Sequence, residues 1–224
     1  MIKLYELAGK NNVIFSPYCW RVRLALLHKE LDFLSVKTAF TDIQKISDSK
    51  FKTVPVIQDG NMSMNDSFKI IEYLEANYPD KPSLFSSNEG RVLSTFIEAW
   101  ANSLHSDIAR MAIADIHSHL EDQDKAYFRK TRESFFGKKL EDVQQENYDT
   151  AKESFLSKLS VLEKYLTKTE FIGGPTPLYP DFIVFGSLQW LLTTSHAFKV
   201  TDLSNNCKNW FLKTSQIYNI ENWK

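Results

Sequence analysis

Ser16, Pro17, Tyr18 and Cys19 stand in the order of a thiol-redox loop whose first cysteine has become a hydroxyl. A cysteine at the head of a helix has its pKa lowered and becomes a nucleophile. A serine there can only donate or accept a hydrogen bond. The chemistry open to it is the stabilisation of a thiolate carried by another molecule. The same Ser-Pro pair also reads as an ordinary helix opening, with Ser at N-cap and Pro in the first turn, so the pair alone leaves both readings open. Cys19 holds the resolving position of such a loop with nothing to resolve, and reads as a buried apolar thiol. Disulfide reduction through Cys19 is the competing chemistry.

Other positions could bind rather than react. Val54-Pro55 is an X-Pro bond, cis in about one case in twenty, and equally a proline entering an edge strand. Asp66-Ser67 opens a helix, where free N–H groups and the dipole suit an anion, although capping by Asn65 or Asp66 uses the same groups. Lys52 and Gln44 add a cation and a polar side chain in a polar, irregular stretch, Thr41 to Lys52. His117 and His119 are two apart, so they do not share a helix face with each other, and no metal site is expected around them or His105.

These residues need elements to hold them. Ile2, Leu4 and Leu7 mark a strand, Ser16 to about Lys29 a helix with Cys19, Val22, Leu26 and Leu27 among its apolar residues, and Phe33 to Val36 a second strand. Val54 to Ile57, the turn Asp59-Gly60-Asn61 and Met62 to Met64 read as a hairpin. Asn65-Asp66-Ser67 then caps a helix to about Tyr78. Residues 1–78 therefore form one domain of order β-α-β, β-β-α, with a mixed sheet. Residues 79–90, rich in Pro, Ser and Gly, read as a linker. From 91 to 224 no strand alternation persists, while Tyr148, Ala151, Phe155, Leu159, Leu162 and Leu166 recur at helical spacing. The fold class is α/β plus all-α. The apolar region from Phe182 to Leu192 is interrupted and too short to span a membrane, and is expected as a buried core helix. Glu121 to Lys125 reads as a solvated charge run.

Composition narrows the partners. With 27 basic and 28 acidic residues the 224-residue chain has a net charge of −1, which gives no field to draw nucleic acid or an anionic membrane. Two distant cysteines, Cys19 and Cys207, suggest neither a disulfide framework nor zinc. The N-terminus carries no signal-peptide pattern, and a cytoplasmic protein with small-molecule partners is expected.

The domain order, with Ser16 at the first helix, Val54-Pro55 before the hairpin and Asp66-Ser67 at the next helix, resembles the glutathione S-transferase superfamily over essentially the whole chain. Within it, Ile14-Phe15-Ser16-Pro17-Tyr18-Cys19-Trp20-Arg21, Thr131-Arg132-Glu133-Ser134-Phe135-Phe136-Gly137 and Leu140-Glu141-Asp142-Val143-Gln144 look like the bacterial β-etherase and fungal FuA types. The resemblance implies a thioredoxin-like domain and a helical-bundle domain, with glutathione as co-substrate and no metal. It implies Ser16 as the catalytic hydroxyl and Pro55 as cis, with the Val54 backbone pairing with the cysteinyl unit. Asp66 and Ser67 would hold the γ-glutamyl end, and Lys52 and Gln44 the glycine carboxylate. An electrophile, apolar or aromatic and with β-aryl ethers among the candidates, would lie between the domains near Phe15, Trp100, His105 and Met111. A homodimer is also implied. A non-catalytic carrier or interaction module on the same fold is the alternative. One departure is local: Leu178 stands where the superfamily places a capping Ser, Thr or Asn three residues before Asp181, a loss of about 1 kcal/mol that Pro180 offsets in part by fixing φ.

Overall fold

The computed structural model describes residues 1–47 and 50–221; positions 48 and 49 of the polar stretch and the last three positions of the chain lie outside the described residues. Strand β1 (Ile2–Leu7) pairs in parallel with β2 (Phe33–Thr38) and antiparallel with β3 (Val56–Asp59), which pairs antiparallel with β4 (Met62–Asn65). The four-stranded order is β2-β1-β3-β4. The parallel pair needs a crossover, supplied by helix α1 (Pro17–His28), and α2 (Ser67–Asn77) follows the hairpin. Together they make a thioredoxin-like first domain. Strand β3 begins at Val56, two residues later than the sequence pattern suggests, because Val54 and Pro55 form the turn leading into it.

Buried charge fastens the chain beyond α2 to this domain. Lys29, fully buried, donates from Nζ to the carbonyls of Tyr78 and Pro82, each at 3.1 Å, and pairs with Glu75 at 3.0 Å. Removing one partner of such a group leaves a buried charge uncompensated, so the connection after α2 is held by the C-terminal end of α1. The stretch read as a linker includes the first turn of α3 (Asn88–Asn102), capped by Ser87 Oγ, which accepts from Gly90 N at 3.2 Å.

The second domain is helical: α4 (His105–His119), α5 (Asp122–Phe136), α6 (Leu140–Tyr165), α7 (Tyr179–Thr194) and α8 (Asn205–Ile217). Helix α7 buries nearly every residue, as expected of the apolar run within it, while α6 buries Ala151, Phe155, Leu159 and Leu162 along one face. Asp181 answers the missing cap side chain at Leu178. It accepts from the N–H groups of Ile172, Gly173 and Leu178 at 2.7, 2.8 and 3.0 Å and from Trp210 Nε1 at 2.7 Å. Burial pushes its carboxyl up and these donors oppose the shift, so one side chain closes the α7 N-terminus and pins α8. Among the described residues no helix is long and apolar enough to cross a membrane.

The charge run from Glu121 to Lys125 is not uniformly solvated. Asp124 is fully buried and accepts from Phe40 N at 2.7 Å, Thr41 N at 2.9 Å and Thr41 Oγ1 at 2.9 Å. The start of a short 3₁₀ turn, Phe40–Lys45, is thereby fastened to the first turn of α5. Charge-assisted bonds to backbone N–H groups outweigh the desolvation that would otherwise keep an aspartate in water.

Candidate active site

The sheet brings three sequence-distant stretches to one edge. In the β1–β3–β4 register Tyr5 opposes Val56 and Val56 opposes Asn65. The segment leaving β1, the Val54-Pro55 turn entering β3 and the Asp66-Ser67 pair leaving β4 are therefore neighbours. Ser16 ends the first of these as the N-cap of α1, with Pro17 in the first turn, and its Oγ accepts from Cys19 N at 3.4 Å. Trp20 Nε1 donates to the Ile14 carbonyl at 3.0 Å and holds the loop before the cap. Across from it, α7 presents Gly186, where a Cβ would stand 2.5 Å from the Pro17 carbonyl oxygen. Only a glycine lets α7 press so closely on the turn that aims Ser16.

Cys19 faces the interior. It is fully buried, its Sγ accepts from Leu7 N at 3.5 Å, and burial, with the Glu6 charge adding to it, pushes its thiol up to about 12. Such a thiol is neutral and inert at physiological pH. Cys207 is buried as well and, again chiefly through burial, is raised to about 12.

The Val54-Pro55 bond is cis. Asp66 has φ +74° and caps α2 with Oδ1, which accepts from Phe68 N at 3.0 Å and Lys69 N at 3.2 Å. Left-handed backbone at a non-glycine residue is uncommon. Here it is held by the cap it makes. Ser67 follows in the first turn and is buried. Arg21 lies in the fully buried interior of α1, donating to Glu98 Oε1 at 2.5 Å and Asn102 Oδ1 at 2.9 Å. It joins the α1 face behind Ser16 to α3.

A cavity of about 1090 Å³ opens between the domains. Ser16, Phe15, Val54, Lys52 and Gln44 lie on its wall, so the structure brings those five together. Asp66 and Ser67 do not line it; the Val56–Asn65 pairing puts them at the same sheet edge as Val54. The opposite wall is helical: His105, Ala109, Ile113 and Ile116 from α4, Tyr127, Phe128, Thr131, Arg132, Phe135 and Phe136 from α5, and Trp190 from α7. Phe40 bridges the two walls, its ring centroid 6.3 Å from Phe15 and 5.7 Å from Phe128.

His105 stands on the helical wall next to Tyr18. Nε2 lies 3.0 Å from Ser187 Oγ and Nδ1 3.5 Å from the Tyr18 hydroxyl. Burial, with the Arg21 charge adding to it, lowers its pKa to about 3, so it is a neutral hydrogen-bonding group and not an acid. Two other positions expected in the pocket are not on its wall. Met111 is fully buried: two residues beyond the lining Ala109 it points about 200° around the helix, by helical geometry, toward the core. Trp100, half-buried on α3, packs against the main core instead. No group of three or more metal-ligating side chains occurs among the described residues.

Residues 12–82 match the family described as glutathione S-transferase, N-terminal domain, and residues 92–211 the corresponding C-terminal domain. The chain belongs to the glutathione S-transferase family. It is 40% identical over 80 residues to glutathione S-transferase Z2 of Arabidopsis thaliana, an alignment that takes in 33% of this chain and 35% of that protein. It is 24% identical over 205 residues to the glutathione S-transferase-like protein ustS of Aspergillus flavus, covering 80% of this chain and 73% of the relative. Among solved structures, a glutathione S-transferase of Ceriporiopsis subvermispora in complex with glutathione superposes with a TM-score of 0.85 at 22% identity, over 97% of this chain and 96% of that one. Glutathione transferase GSTFuA3 from Phanerochaete chrysosporium gives 0.83 at 24% identity, over 100% and 97%. At such identity these likenesses concern the fold.

In this glutathione S-transferase the aromatic wall from α5 is the part that sequence reasoning missed. Tyr127, Phe128, Thr131, Arg132 and Phe135 sit at steps of one, three, one and three, a helical stripe. The stripe is visible in the sequence. Nothing in it tells that it faces a cavity, since an identical spacing serves a core.

Proposed function

We propose that this glutathione S-transferase activates the glutathione thiol through Ser16 and directs it at an electrophilic aromatic substrate in the interdomain cavity. The observation that carries the reading is the Ser16 hydroxyl, held at the N-terminus of α1 on the wall of an aromatic-lined cavity. A free thiol has a pKa of about 8.5, and lowering it by about two units takes roughly 2.7 kcal/mol of selective thiolate stabilisation. A hydroxyl hydrogen bond and the positive end of a helix act in that direction. On this reading Val54 offers its backbone to the cysteinyl unit, Ser67 and Asp66 hold the γ-glutamyl end, and Lys52 and Gln44 meet the glycine carboxylate. The thiolate then forms a bond to an electrophilic carbon of the acceptor while the leaving group departs with its electron pair. For a β-aryl ether, that group is a phenolate.

The buried, raised thiol of Cys19 supports this over disulfide reduction. Exposed Val92, Leu93 and Phe96 on α3 form an apolar patch that fits the homodimer we propose, to be checked by sedimentation equilibrium. Two free buried cysteines fit a reducing compartment such as the cytoplasm. The test is the ultraviolet thiolate absorbance of glutathione, titrated across pH with wild type and with Ser16→Ala. We expect a lowered glutathione pKa in wild type and its return in the variant. Tight binding with no shift would instead mark a carrier, and an unshifted pKa in both proteins would remove Ser16 from the reaction.

A further inference from the structure

Among the described residues the cavity wall carries two cationic side chains, Lys52 and Arg132, and no carboxylate. Lys52 belongs to the loop before Val54, at the end assigned to glutathione. Arg132 stands on α5, on the aromatic wall. Its guanidinium carbon is 4.7 Å from the Phe128 ring centroid and 5.3 Å from that of Phe40, and Nη1 donates to Thr131 Oγ1 at 2.9 Å.

Its neighbour on the same helix shows the contrast. Arg129 is neutralised by Glu133 at 2.8 Å and Glu141 at 2.7 Å. No ion pair engages Arg132 among the described residues, although it is half-buried among rings. A guanidinium has five donors, and only Nη1 is engaged, by a neutral hydroxyl. Ring faces attract a cation but leave its hydrogen-bonding fork open. In a cavity with apolar walls an unpaired cation acts on a ligand through a lower dielectric than bulk water.

We propose that the acceptor substrate is an aromatic molecule bearing an anionic group, a carboxylate or ring phenolate, that Arg132 holds through charge-assisted hydrogen bonds while the ring lies against Phe40 and Phe128. This rests on the transferase reading for its chemistry. The guanidinium also offsets the repulsion between an anionic acceptor and the thiolate that must approach it. For the probe 4-chloro-3-nitrobenzoate the step is balanced: the sulfur bonds to the ring carbon bearing chlorine, the carbon–chlorine bond breaks with its electron pair on chloride, and the thiol proton has already passed to solvent.

The experiment compares 4-chloro-3-nitrobenzoate with its methyl ester, as a ratio of kcat/KM within each protein, for wild type, Arg132→Leu and Arg132→Lys. In parallel, equilibrium binding of 4-nitrobenzoate and methyl 4-nitrobenzoate is measured in the same proteins. Hydrogen bonds to charged groups set the scale: the acid-to-ester ratio should fall at least about tenfold in Arg132→Leu, in turnover and in binding, and recover in part in Arg132→Lys. A purely structural arginine would lower melting temperature and leave both ratios unmoved, which overturns the proposal. Should Arg132→Leu fail to fold, wild-type protein that binds methyl 4-nitrobenzoate as tightly as 4-nitrobenzoate, or tighter, overturns it. No turnover of either electrophile alongside an Arg132-dependent preference for the acid in binding removes the transferase reading and leaves the anion site standing.

Discussion

The two walls of the cavity are built by different means. The first-domain side of the cleft consists of loop ends whose backbone is fixed locally: the Ser16 cap and the Val54-Pro55 turn, with the left-handed Asp66 at the same sheet edge. The second-domain wall consists of side chains on long helices, aimed by how those helices pack. A wall of the first kind demands particular residue types at particular places, because only some residues cap, turn or adopt positive φ. The second kind demands only apolar bulk at helical spacing, which many sequences satisfy. On the function we propose, the motif-bearing residues therefore concentrate on one side of the cleft, and the side assigned to the acceptor is free to vary.

Asp124 joins the walls, and its loss should be the largest disturbance. Asp124→Ala leaves the Phe40 and Thr41 N–H groups without their acceptor, and a hydrogen bond to a charged group contributes about 1.5 to 3 kcal/mol. We expect about 3 kcal/mol lower stability in urea unfolding. We also expect a raised KM for the acceptor, with glutathione affinity changed less, because Phe40 packs against Phe128 of the α5 wall, where we propose that the acceptor lies. Equal losses for both substrates would mean that the walls are not separable.

Ser16→Ala probes the first wall alone. Returning the glutathione pKa from about 6.5 to about 8.5 cuts the thiolate fraction at pH 7 by about 25-fold, and kcat/KM at neutral pH should fall by about that factor. The lost cap adds about 1 kcal/mol of destabilisation, so melting temperature is recorded with it. Retained glutathione binding with lost turnover fits a hydroxyl that acts on the sulfur. Lost binding would make Ser16 a positioning residue only.

Legibility in the sequence divides along the same line. The order of elements in the first domain was legible because strand alternation, the Asp59-Gly60-Asn61 turn and the capping pairs all agree locally, and local agreement is what makes a fold readable. The buried role of Asp124 was not legible, since its partners are backbone groups 83 and 84 residues away. Met111 and Trp100 are expected in the pocket from family position alone. Which face of α4 meets a cavity depends on α6 packing against its other side, and that is a property of tertiary contact, not of spacing.

His105, on the helical wall beside Tyr18 of α1, should make stability respond to pH. The folded His105 pKa is about 3, against the ordinary 6.5, so below 6.5 the unfolded chain binds a proton that the folded protein refuses. Stability then falls as pH drops, by about 1.4 kcal/mol per unit, or about 2 kcal/mol by pH 5. His28 and His119 are also lowered, chiefly by burial, and act in the same sense. The His105 share is therefore the difference in slope between wild type and His105→Gln in denaturant unfolding from pH 7 to 5. An identical slope would mean that water reaches the imidazole.

The smallest effect is the sharpest test of which α4 face matters. Met111→Leu is a volume-conserving change in a fully buried site, expected to alter stability by under about 1.5 kcal/mol and to leave the acceptor KM where it was. Ile113→Ala, two residues on and on the cavity wall, removes apolar surface from the pocket itself and should raise the acceptor KM severalfold. If the two variants exchange these behaviours, α4 is rotated relative to the arrangement described, and the division between core face and substrate face must be redrawn with Met111 on the wall.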